Sequence, residues 1–200
     1  MLERQWDDES FGPYRRAFPS EHGATKADFQ AHFEDLVRRD VKAPYVKQLQ
    51  GFLWREGYAS GELRVSLFPD VHPLLRKWHD RGIGILIYSS GSVEAQKLLF
   101  ANTDGEPADL SPLISGWFDT VNAGPKTEPA SYERICATRP EVPPGEWLFL
   151  SDNIREVDAA EAAGLQALIV NRPGNAALPG DLEPGRVIES FVECDPFPTN

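Results

Sequence analysis

The spacing of apolar residues divides the chain into two parts with different patterns. Up to about residue 65, apolar side chains recur at intervals of three and four, which is the period of a helix that buries one face. One helix is predicted over Lys26 to Asp40, and a second, opened by Pro44, over Tyr45 to Glu56. The stretch from Gly12 to Pro19 is predicted to be irregular. The residues expected to end the second helix are Gly57, Ser60 and Gly61.

From Phe68 onward, short apolar runs alternate with helical patterns. The predicted strands are Ile83 to Tyr88, Trp117 to Val121, Glu146 to Leu150 and Leu165 to Val170, with a short strand near Val187. The predicted helices are Val71 to Arg81, Val93 to Ala101, Pro129 to Arg139 and Ile154 to Ala163. Continuous apolar strands that alternate with helices are typical of a parallel sheet covered on both faces. The sequence therefore predicts an α/β fold.

Composition narrows the classes of function. The formal net charge of −11 argues against a protein that binds the phosphate backbone of nucleic acids. A hydrophobic content of 41% with five tryptophans suffices for a packed interior. The two cysteines, Cys136 and Cys194, are expected to stay reduced. Because the chain has neither a membrane-length apolar run nor a signal-peptide core, the sequence predicts a soluble intracellular protein.

Polar residues suited to phosphoryl transfer follow the predicted strands. Ligands of open parallel sheets bind beyond the carboxyl ends of the strands. Hydroxyls and backbone amides there can hold phosphate oxygens, a lysine can offset their charge, and a carboxylate can hold Mg²⁺. The residues that offer these groups are Ser89, Ser90 and Gly91, then Asn122, Gly124 and Lys126, then Ser151, Asp152 and Glu156, and finally Asn171 to Asn175. Free N–H groups of the helix after Ser92 are also expected to attract an anion.

Each of these residues also has a purely structural interpretation. The segment Ser89 to Ser92 and the carboxylate of Asp152 could do no more than cap helices. Lys126 could be a solvated surface residue. Glu156 suits the first turn of a helix, where an acidic side chain complements the dipole. The joint pattern at three strand ends is what favours the functional interpretation.

Other catalytic patterns do not fit the sequence. The tripeptide Ser90-Gly91-Ser92 does not match the Gly-x-Ser-x-Gly turn of a hydrolase nucleophile. The four histidines form no His-Glu-x-x-His helix, and the sequence contains neither a P-loop nor a dinucleotide fingerprint. Phosphoryl transfer is therefore the chemistry that the strand ends indicate.

Three motifs resemble those of the haloacid dehalogenase-like superfamily and, within it, the enolase-phosphatases of methionine salvage. The segments similar to the family's second, third and fourth motifs are Tyr88 to Phe100, then Phe118 to Thr120 with Gly124 to Lys126 and Ser131-Tyr132, then Leu148 to Asp152 with Arg155 to Ala162. Further matches are Arg172 to Asn175 and, in the family's helical cap, Lys47 to Gly51 with Trp54. The resemblance spans about residues 40 to 176.

The resemblance implies a Rossmann-like parallel sheet with a helical cap. Residues 1–66 would form part of the cap and residues 67–200 the core. The family's first motif, a buried strand that ends in Asp-x-Glu-Gly-Thr, has no counterpart in this sequence. Met1 falls inside the cap, so the sequence is expected to start too late, through a truncated gene model or an alternative start. The missing strand is central in the superfamily, so the strands that end at Ser89 and Asp152 are expected to pair directly, to leave a gap or to expose backbone groups.

The resemblance also implies roles for the residues at the strand ends. Ser89 and Ser90 would contact the substrate phosphate, Lys126 would stabilise the phosphoryl group, and Asp152 would bind Mg²⁺. The supporting residues would be Gly91, Ser151 and Glu156. The family substrate, 2,3-diketo-5-methylthiopentyl-1-phosphate, is enolised and then dephosphorylated through an aspartyl-phosphate to give the acireductone. The implied partner is this small phosphorylated diketone, without nucleic acid or membrane, and the protein is expected to be a cytoplasmic monomer, with the nucleus as the alternative compartment.

Because the first motif supplies the nucleophile, the sequence predicts that the chain is inactive as given. A second hypothesis is a catalytically dead paralogue that keeps the phosphate pocket as a binding or regulatory module. A third is a related phosphatase that acts on another small phosphate.

Overall fold

α-Helices make up the first part of the chain. The structure is a computed structural model that describes residues 6–22, 25–39, 41, 43–180, 182–183 and 185–196. The chain divides into two units, residues 1–64 and residues 65–200. The helices of the first unit are α1 (Gly12–Ala17), α2 (Lys26–Arg38) and α3 (Pro44–Ala59).

Aromatic side chains form the core of the first unit. Phe29 lies on the buried face of α2, and Phe52 on that of α3. The rings of Phe11 and Phe29 pack edge to face with centroids 5.6 Å apart, an arrangement that stabilises beyond the area it buries. Helix α2 begins after Thr25, whose hydroxyl accepts a hydrogen bond from the N–H of Asp28 at 3.2 Å. The apolar period of the sequence therefore predicts the buried side of both helices.

Two details of the first unit differ from the prediction. Gly57 does not end α3 but lies buried inside it, and the helix continues to Ala59. A glycine inside a helix costs about 1 kcal/mol relative to alanine, which the packing of a long amphipathic helix can outweigh. The stretch from Gly12 is helical rather than irregular, because Pro13 occupies the first turn of α1, where its missing N–H needs no partner.

Strands and helices alternate in the second unit. Its strands are β1 (Ile85–Tyr88), β2 (Ile114–Phe118), β3 (Leu148–Ser151), β4 (Gln166–Val170) and β5 (Val187–Ile188). Its helices are α4 (Val71–Asp80), α5 (Val93–Phe100), α6 (Pro129–Cys136) and α7 (Ile154–Ala162). The strand pairings in the described residues are parallel. The predicted α/β class is therefore confirmed.

Strand β2 is the element that differs most from the prediction. It ends at Phe118 instead of continuing to Val121, whose side chain is 92% exposed. The carboxylate of Asp119 accepts hydrogen bonds from the N–H groups of Val121 and Asn122, at 2.8 and 3.0 Å. Such a turn around an aspartate takes the chain out of the strand conformation. Trp117 and Phe118, the first two residues of the predicted strand, are therefore the last two residues of β2.

The strands form two separate sheets. Strand β1 pairs with β2, and β4 lies between β3 and β5. In the part of the chain that the structure describes, no strand pairs with the second edge of β1 or of β3. Of the three outcomes expected without a central strand, direct pairing of β1 with β3 is therefore the one that the structure does not show.

Side chains connect the two sheets. The ring of Tyr132 on α6 contacts both Tyr88 of β1 and Phe149 of β3, with ring centroids 5.6 and 4.9 Å away. Leu150 of β3 also packs against the apolar cluster that contains Ile85 of β1. The aromatic and aliphatic contacts therefore keep the strand that precedes the first serines close to the strand that precedes Asp152.

Two further expectations concern membranes and cysteines. None of the described helices has both the length and the apolar content needed to cross a membrane. Both cysteines are free thiols, and Cys136 is buried. Burial raises the pKa of the Cys136 thiol, which keeps it protonated and unreactive at neutral pH.

Candidate functional site

The candidate site lies in the loops that follow β1 to β4. Because the strands of each sheet are parallel, these loops share the carboxyl edge of their sheet. Lys126, which follows β2, contacts Glu156, which follows β3. Asp152, also after β3, contacts Asn175 after β4. The site is therefore built from residues of both sheets.

The loop after β1, Ser89–Ser92, is termed the serine loop. The N–H of Ser89 donates to the carbonyl oxygen of Phe118 at 3.1 Å and so continues the pairing of β1 with β2. The hydroxyl oxygen of Ser89 accepts a hydrogen bond from the N–H of Gly91 at 3.1 Å, which leaves the hydroxyl proton to donate to a ligand. Ser89 is half-buried and Ser90 is exposed. The serine loop therefore presents hydroxyl donors at the end of β1.

The first N–H groups of α5 are not all free, which corrects the prediction of an anion site at this helix end. The N–H of Val93 donates to the carboxylate of Asp119 at 3.0 Å. The N–H of Ala95 donates to the hydroxyl of Ser92 at 3.2 Å, so Ser92 is the N-cap of α5. The structural interpretation is therefore right for Ser92, and an anion has to be held by the loop before it.

Lys126 is partly buried rather than solvated, since its side chain is only 18% exposed. Its Nζ lies 2.5 Å from Oε2 of Glu156 and 5.8 Å from the ring centroids of Tyr88 and Phe149. The hydroxyl of Tyr132 donates to the carbonyl oxygen of Lys126 at 2.6 Å and fixes the backbone there. The carboxylate and the two ring faces hold the ammonium group at a defined place, where it can attract an anion.

Glu156 lies in the first turn of α7, as its structural interpretation predicts, but it also has partners outside the helix. Besides the ammonium of Lys126, its Oε2 accepts a hydrogen bond from the hydroxyl of Ser151 at 2.7 Å. The Ser151 oxygen in turn accepts from the N–H of Asn153 at 3.2 Å. Glu156 therefore connects the loop after β2 with the end of β3.

Asp152 is exposed at the end of β3. One of its oxygens, Oδ2, accepts a hydrogen bond from Nδ2 of Asn175 at 3.0 Å. The side-chain oxygen of Asn175 accepts from the N–H of Arg172 at 2.6 Å, which fixes the orientation of the amide. The structure describes no N–H group that the Asp152 carboxylate caps, since the N-cap of α7 is Asn153. The carboxylate of Asp152 is thus oriented by the loop after β4.

Two tyrosines fix the backbone around Lys126. The hydroxyl of Tyr88 donates to the carbonyl oxygen of Gly124 at 2.6 Å. Burial raises the pKa of Tyr88, and burial together with the nearby Glu156 carboxylate raises the pKa of Tyr132, so both remain hydroxyl donors. Gly124 has φ of +110°, and a Cβ there would lie 2.6 Å from the hydroxyl oxygen of Ser131. The turn into Lys126 therefore requires glycine.

Asp70, before α4, is the centre of a buried polar cluster next to the loop after β4. Its Oδ2 accepts hydrogen bonds from Nη2 of Arg172 at 2.6 Å, the N–H of Phe191 at 2.7 Å and the hydroxyl of Ser190 at 2.9 Å. Burial alone would raise the pKa of Asp70, but these hydrogen bonds outweigh burial and lower the pKa from 3.8. The guanidinium of Arg172 also lies 4.7 Å from the ring centroid of Phe68. The cluster anchors the loop that carries Asn175.

We expect the substitution Asp70→Asn to reduce the free energy of unfolding at pH 7 by about 2 kcal/mol, because it weakens charge-assisted hydrogen bonds. The folded-state pKa of Asp70 lies below the unfolded value of 3.8, so its contribution is present above about pH 4 and lost as the pH falls through the folded value. Urea titrations from pH 3 to pH 7 should show a shallower acid decline for Asp70→Asn than for the parent. The exposed Asp80 provides the control substitution Asp80→Asn, and an identical acid decline in all three proteins would contradict the prediction.

The structure brings Lys126, which follows β2, into direct contact with Glu156, which follows β3. The other predicted residues lie in neighbouring loops. The residues predicted for the site are placed as described above: Ser89, Ser90, Gly91, Lys126, Ser151, Asp152 and Glu156. Sequence reasoning missed two side chains that hold these loops, namely Gln96 and Asp119, whereas Asn175 was predicted at the end of the fourth strand. A signal existed for Asp119, because an aspartate directly after an apolar run often starts a turn. Gln96 gives no such signal, because it occurs among apolar residues of a helix.

Comparison with known proteins places the chain in a family. The sequence profile of haloacid dehalogenase-like hydrolases matches residues 4–164. A protein of Pyricularia oryzae named Enolase-phosphatase E1 is 58% identical over 193 residues, which cover 96% of this chain and 84% of that protein. A protein of the same name from Chaetomium globosum is 60% identical over 200 residues, which cover 96% of this chain and 83% of that protein. The chain belongs to the enolase-phosphatase family of haloacid dehalogenase-like hydrolases.

A solved structure has the same fold. The UTR4 protein of Saccharomyces cerevisiae is 36% identical and superimposes with a TM-score of 0.76, covering 96% of this chain and 84% of that one. The resemblance inferred from the three motifs is therefore confirmed, together with the hydrolase class. The roles of individual residues remain predictions.

Proposed function

We propose that this enolase-phosphatase family member recognises 2,3-diketo-5-methylthiopentyl-1-phosphate, the phosphorylated diketone of methionine salvage. The observation that carries the proposal is the ion pair of Lys126 with Glu156, which holds an ammonium group at the strand ends next to β1, the strand that leads into the serine loop. The names of the relatives at 58% and 60% identity support the choice of reaction.

The proposed division of labour follows the chemistry of each group. The hydroxyls of Ser89 and Ser90 donate hydrogen bonds to phosphate oxygens. The ammonium of Lys126 offsets the charge of the phosphoryl group as it is transferred. Glu156 and Ser151 keep Lys126 in place, and the N–H of Gly91 orients the hydroxyl of Ser89.

Asp152 is the proposed holder of Mg²⁺. Its exposed carboxylate is a hard oxygen donor, which Mg²⁺ prefers, and Mg²⁺ commonly uses one or two carboxylates together with substrate phosphate. Among the described residues no three His, Cys, Asp or Glu side chains converge on one point. The donor set therefore fits a weak site that needs the phosphate of the substrate as a further ligand. When bound, the ion would neutralise phosphate charge and polarise the adjacent oxygens.

A second candidate function is binding without turnover. The carboxylates at the described strand ends already have partners: Glu156 holds Lys126 and Ser151, and Asp152 accepts from Asn175. The 200 residues contain no Asp-x-Glu-Gly-Thr motif, which supplies the nucleophile in this family. The polypeptide as given is therefore proposed to bind the phosphorylated substrate without hydrolysing it.

The remaining proposals follow from the family. Residues 1–66 are proposed as part of the helical cap and residues 67–200 as the catalytic core. The protein is proposed to act as a monomer in the cytoplasm, or alternatively in the nucleus, on a small molecule rather than on nucleic acid or a membrane.

The phosphate-binding role is tested by calorimetric titration of the polypeptide with the phosphorylated diketone, with inorganic phosphate as the competitor. We expect saturable binding that inorganic phosphate displaces and that Ser89→Ala weakens about tenfold, since one hydrogen bond to a charged group contributes about 1.5–3 kcal/mol. The matched control is Ser111→Ala, which removes a hydroxyl before β2, outside the strand-end loops. Binding that survives Ser89→Ala and Ser90→Ala unchanged would refute the assignment.

A further inference from the structure

Asp119 is a buried carboxylate that connects two loops of the site. It is 7% exposed and directly follows β2. Its Oδ1 accepts hydrogen bonds from the N–H groups of Val121 and Asn122, and its Oδ2 accepts from the N–H of Val93 at 3.0 Å. Burial alone would raise the pKa of Asp119, but the three N–H donors outweigh burial and lower the pKa from 3.8. Asp119 is therefore ionised, and its two oxygens bind different segments.

Gln96 makes a second connection between the same segments. Its side chain is buried on α5, and its Nε2 donates to the carbonyl oxygens of Gly91 and Phe118, both at 2.8 Å. The amide oxygen of Gln96 has no hydrogen-bond partner among the described residues. Leaving a buried acceptor unpaired costs about 1–3 kcal/mol. The two hydrogen bonds that Nε2 donates offset this cost and hold the Gln96 side chain in place.

These contacts determine where an anion can bind. The carboxylate of Asp119 takes up the N–H of Val93, the first residue of α5, so that this N–H is closed to a ligand. The amide of Gln96 donates to the carbonyl oxygen of Gly91, so that this oxygen, which would repel a phosphate, is paired with a donor. The hydroxyls of Ser89 and Ser90 are the donors of this loop that the proposed function assigns to the phosphate.

We propose that Asp119 and Gln96 are positioning residues, which hold the serine loop against the end of β2 in the conformation that receives a phosphate group. The inference rests on the proposed function, because the phosphate site is the one assigned there. It adds two residues that touch neither substrate nor metal and act through the loop.

The substitution Asp119→Asn tests the inference at constant size. Because the N–H donors lie on both oxygens of Asp119, the NH₂ group of an asparagine must face an N–H group on one side. Either the connection to α5 or the turn after β2 is then lost. We expect the affinity for inorganic phosphate, measured by calorimetry on the 200-residue chain, to fall about tenfold, which corresponds to about 1.4 kcal/mol.

A matched control separates positioning from general loss of stability. The carboxylate of Asp195 is 4% exposed and accepts hydrogen bonds from Lys77 and Trp78 near the end of α4, which precedes β1, whereas the serine loop follows β1. Asp195→Asn should lower the melting temperature without changing phosphate affinity by more than about twofold. Phosphate affinity that falls equally in Asp119→Asn and Asp195→Asn would overturn the inference, as would an unchanged affinity in Asp119→Asn.

A second variant and a second measurement keep the test decisive. If Asp119→Asn does not fold, Gln96→Met takes its place, because it keeps the volume and removes both donated hydrogen bonds. Amide hydrogen exchange of residues 89–93 should become about tenfold faster in either variant and stay unchanged in Asp195→Asn. If the parent chain binds no phosphate, the proposed function fails and exchange alone decides the inference. Exchange that is unchanged in both variants would overturn it.

Discussion

Replacing Lys126 by methionine is expected to lower the affinity for phosphate by about 100-fold or more, the equivalent of about 2.7 kcal/mol. The ammonium of Lys126 lies in the loop after β2, 2.5 Å from Glu156, with only 18% and 14% of the two side chains exposed. Its removal takes away one positive charge and leaves a partly buried carboxylate next to the anion. The pair thereby changes from net neutral to net negative, which is why this effect should exceed the loss of any one serine. Calorimetric titration with inorganic phosphate measures it.

The same substitution should lower the free energy of unfolding by about 2 kcal/mol, less than for a fully buried pair because both side chains keep some contact with water. The double variant with Lys126→Met and Glu156→Gln removes the carboxylate charge as well. We expect it to recover part of the stability and none of the phosphate affinity. Lys97, exposed on α5, provides the control Lys97→Met, which should change stability by less than about 0.5 kcal/mol.

Two results would contradict this account of Lys126. One is a Lys126→Met protein that binds phosphate as tightly as the parent. The other is a double variant that is no more stable than Lys126→Met alone, since the carboxylate of Glu156 would then not be the source of the instability.

The sequence predicts the helices and strands of the second unit well where the apolar pattern and the residues that end each element indicate the same bounds. Gly82 and Gly164, which have positive φ, directly follow the C-caps of α4 and α7, as glycine's freedom in the left-handed region predicts. The prediction is wrong for β2, because it continued the strand through Asp119, where the carboxylate turns the chain directly after Trp117 and Phe118. Turn formation by one carboxylate outweighs strand propensity there. Local patterns also could not show that β1 and β3 stay unpaired, because strand pairing is a long-range property.

The sequence predicts the individual residues of the site but not the contacts between them. Lys126 and Glu156 were predicted as residues of separate strand ends, and their ion pair depends on how α6 and α7 pack against β3. Spacing along the chain cannot reveal such a pair, because 30 residues separate the two positions. Gln96 was missed because it interacts with backbone groups, and the sequence around it gives no sign of such a partner. Asp119 was missed although its position directly after an apolar run is a turn signal. Motifs therefore locate the chemistry, while the hydrogen bonds that hold it become apparent only in the structure.

Purified 200-residue polypeptide is expected to release no phosphate from the phosphorylated diketone in the presence of Mg²⁺. A covalent phosphoryl-enzyme requires a carboxylate nucleophile next to Ser89, Ser90 and Lys126. The motif that supplies it in the family is not in this sequence, and Glu156 is engaged by Lys126. Phosphate release should therefore lie at least about a thousandfold below that of a family member that has the motif. A coupled assay for inorganic phosphate measures this rate.

The positive control is the Chaetomium globosum relative, which is 60% identical and named an enolase-phosphatase. The negative control is Asp152→Asn, which removes the proposed Mg²⁺ ligand without changing the size of the side chain. Turnover by the 200-residue polypeptide that Asp152→Asn abolishes would show that the chain is catalytic as given, and a nucleophile would then have to be sought among its own carboxylates. Binding of the diketone without turnover, combined with activity of the relative under the same conditions, would instead establish a phosphate site that operates without its nucleophile. Because binding depends on Lys126 and turnover on the nucleophile, the two measurements separate recognition from catalysis.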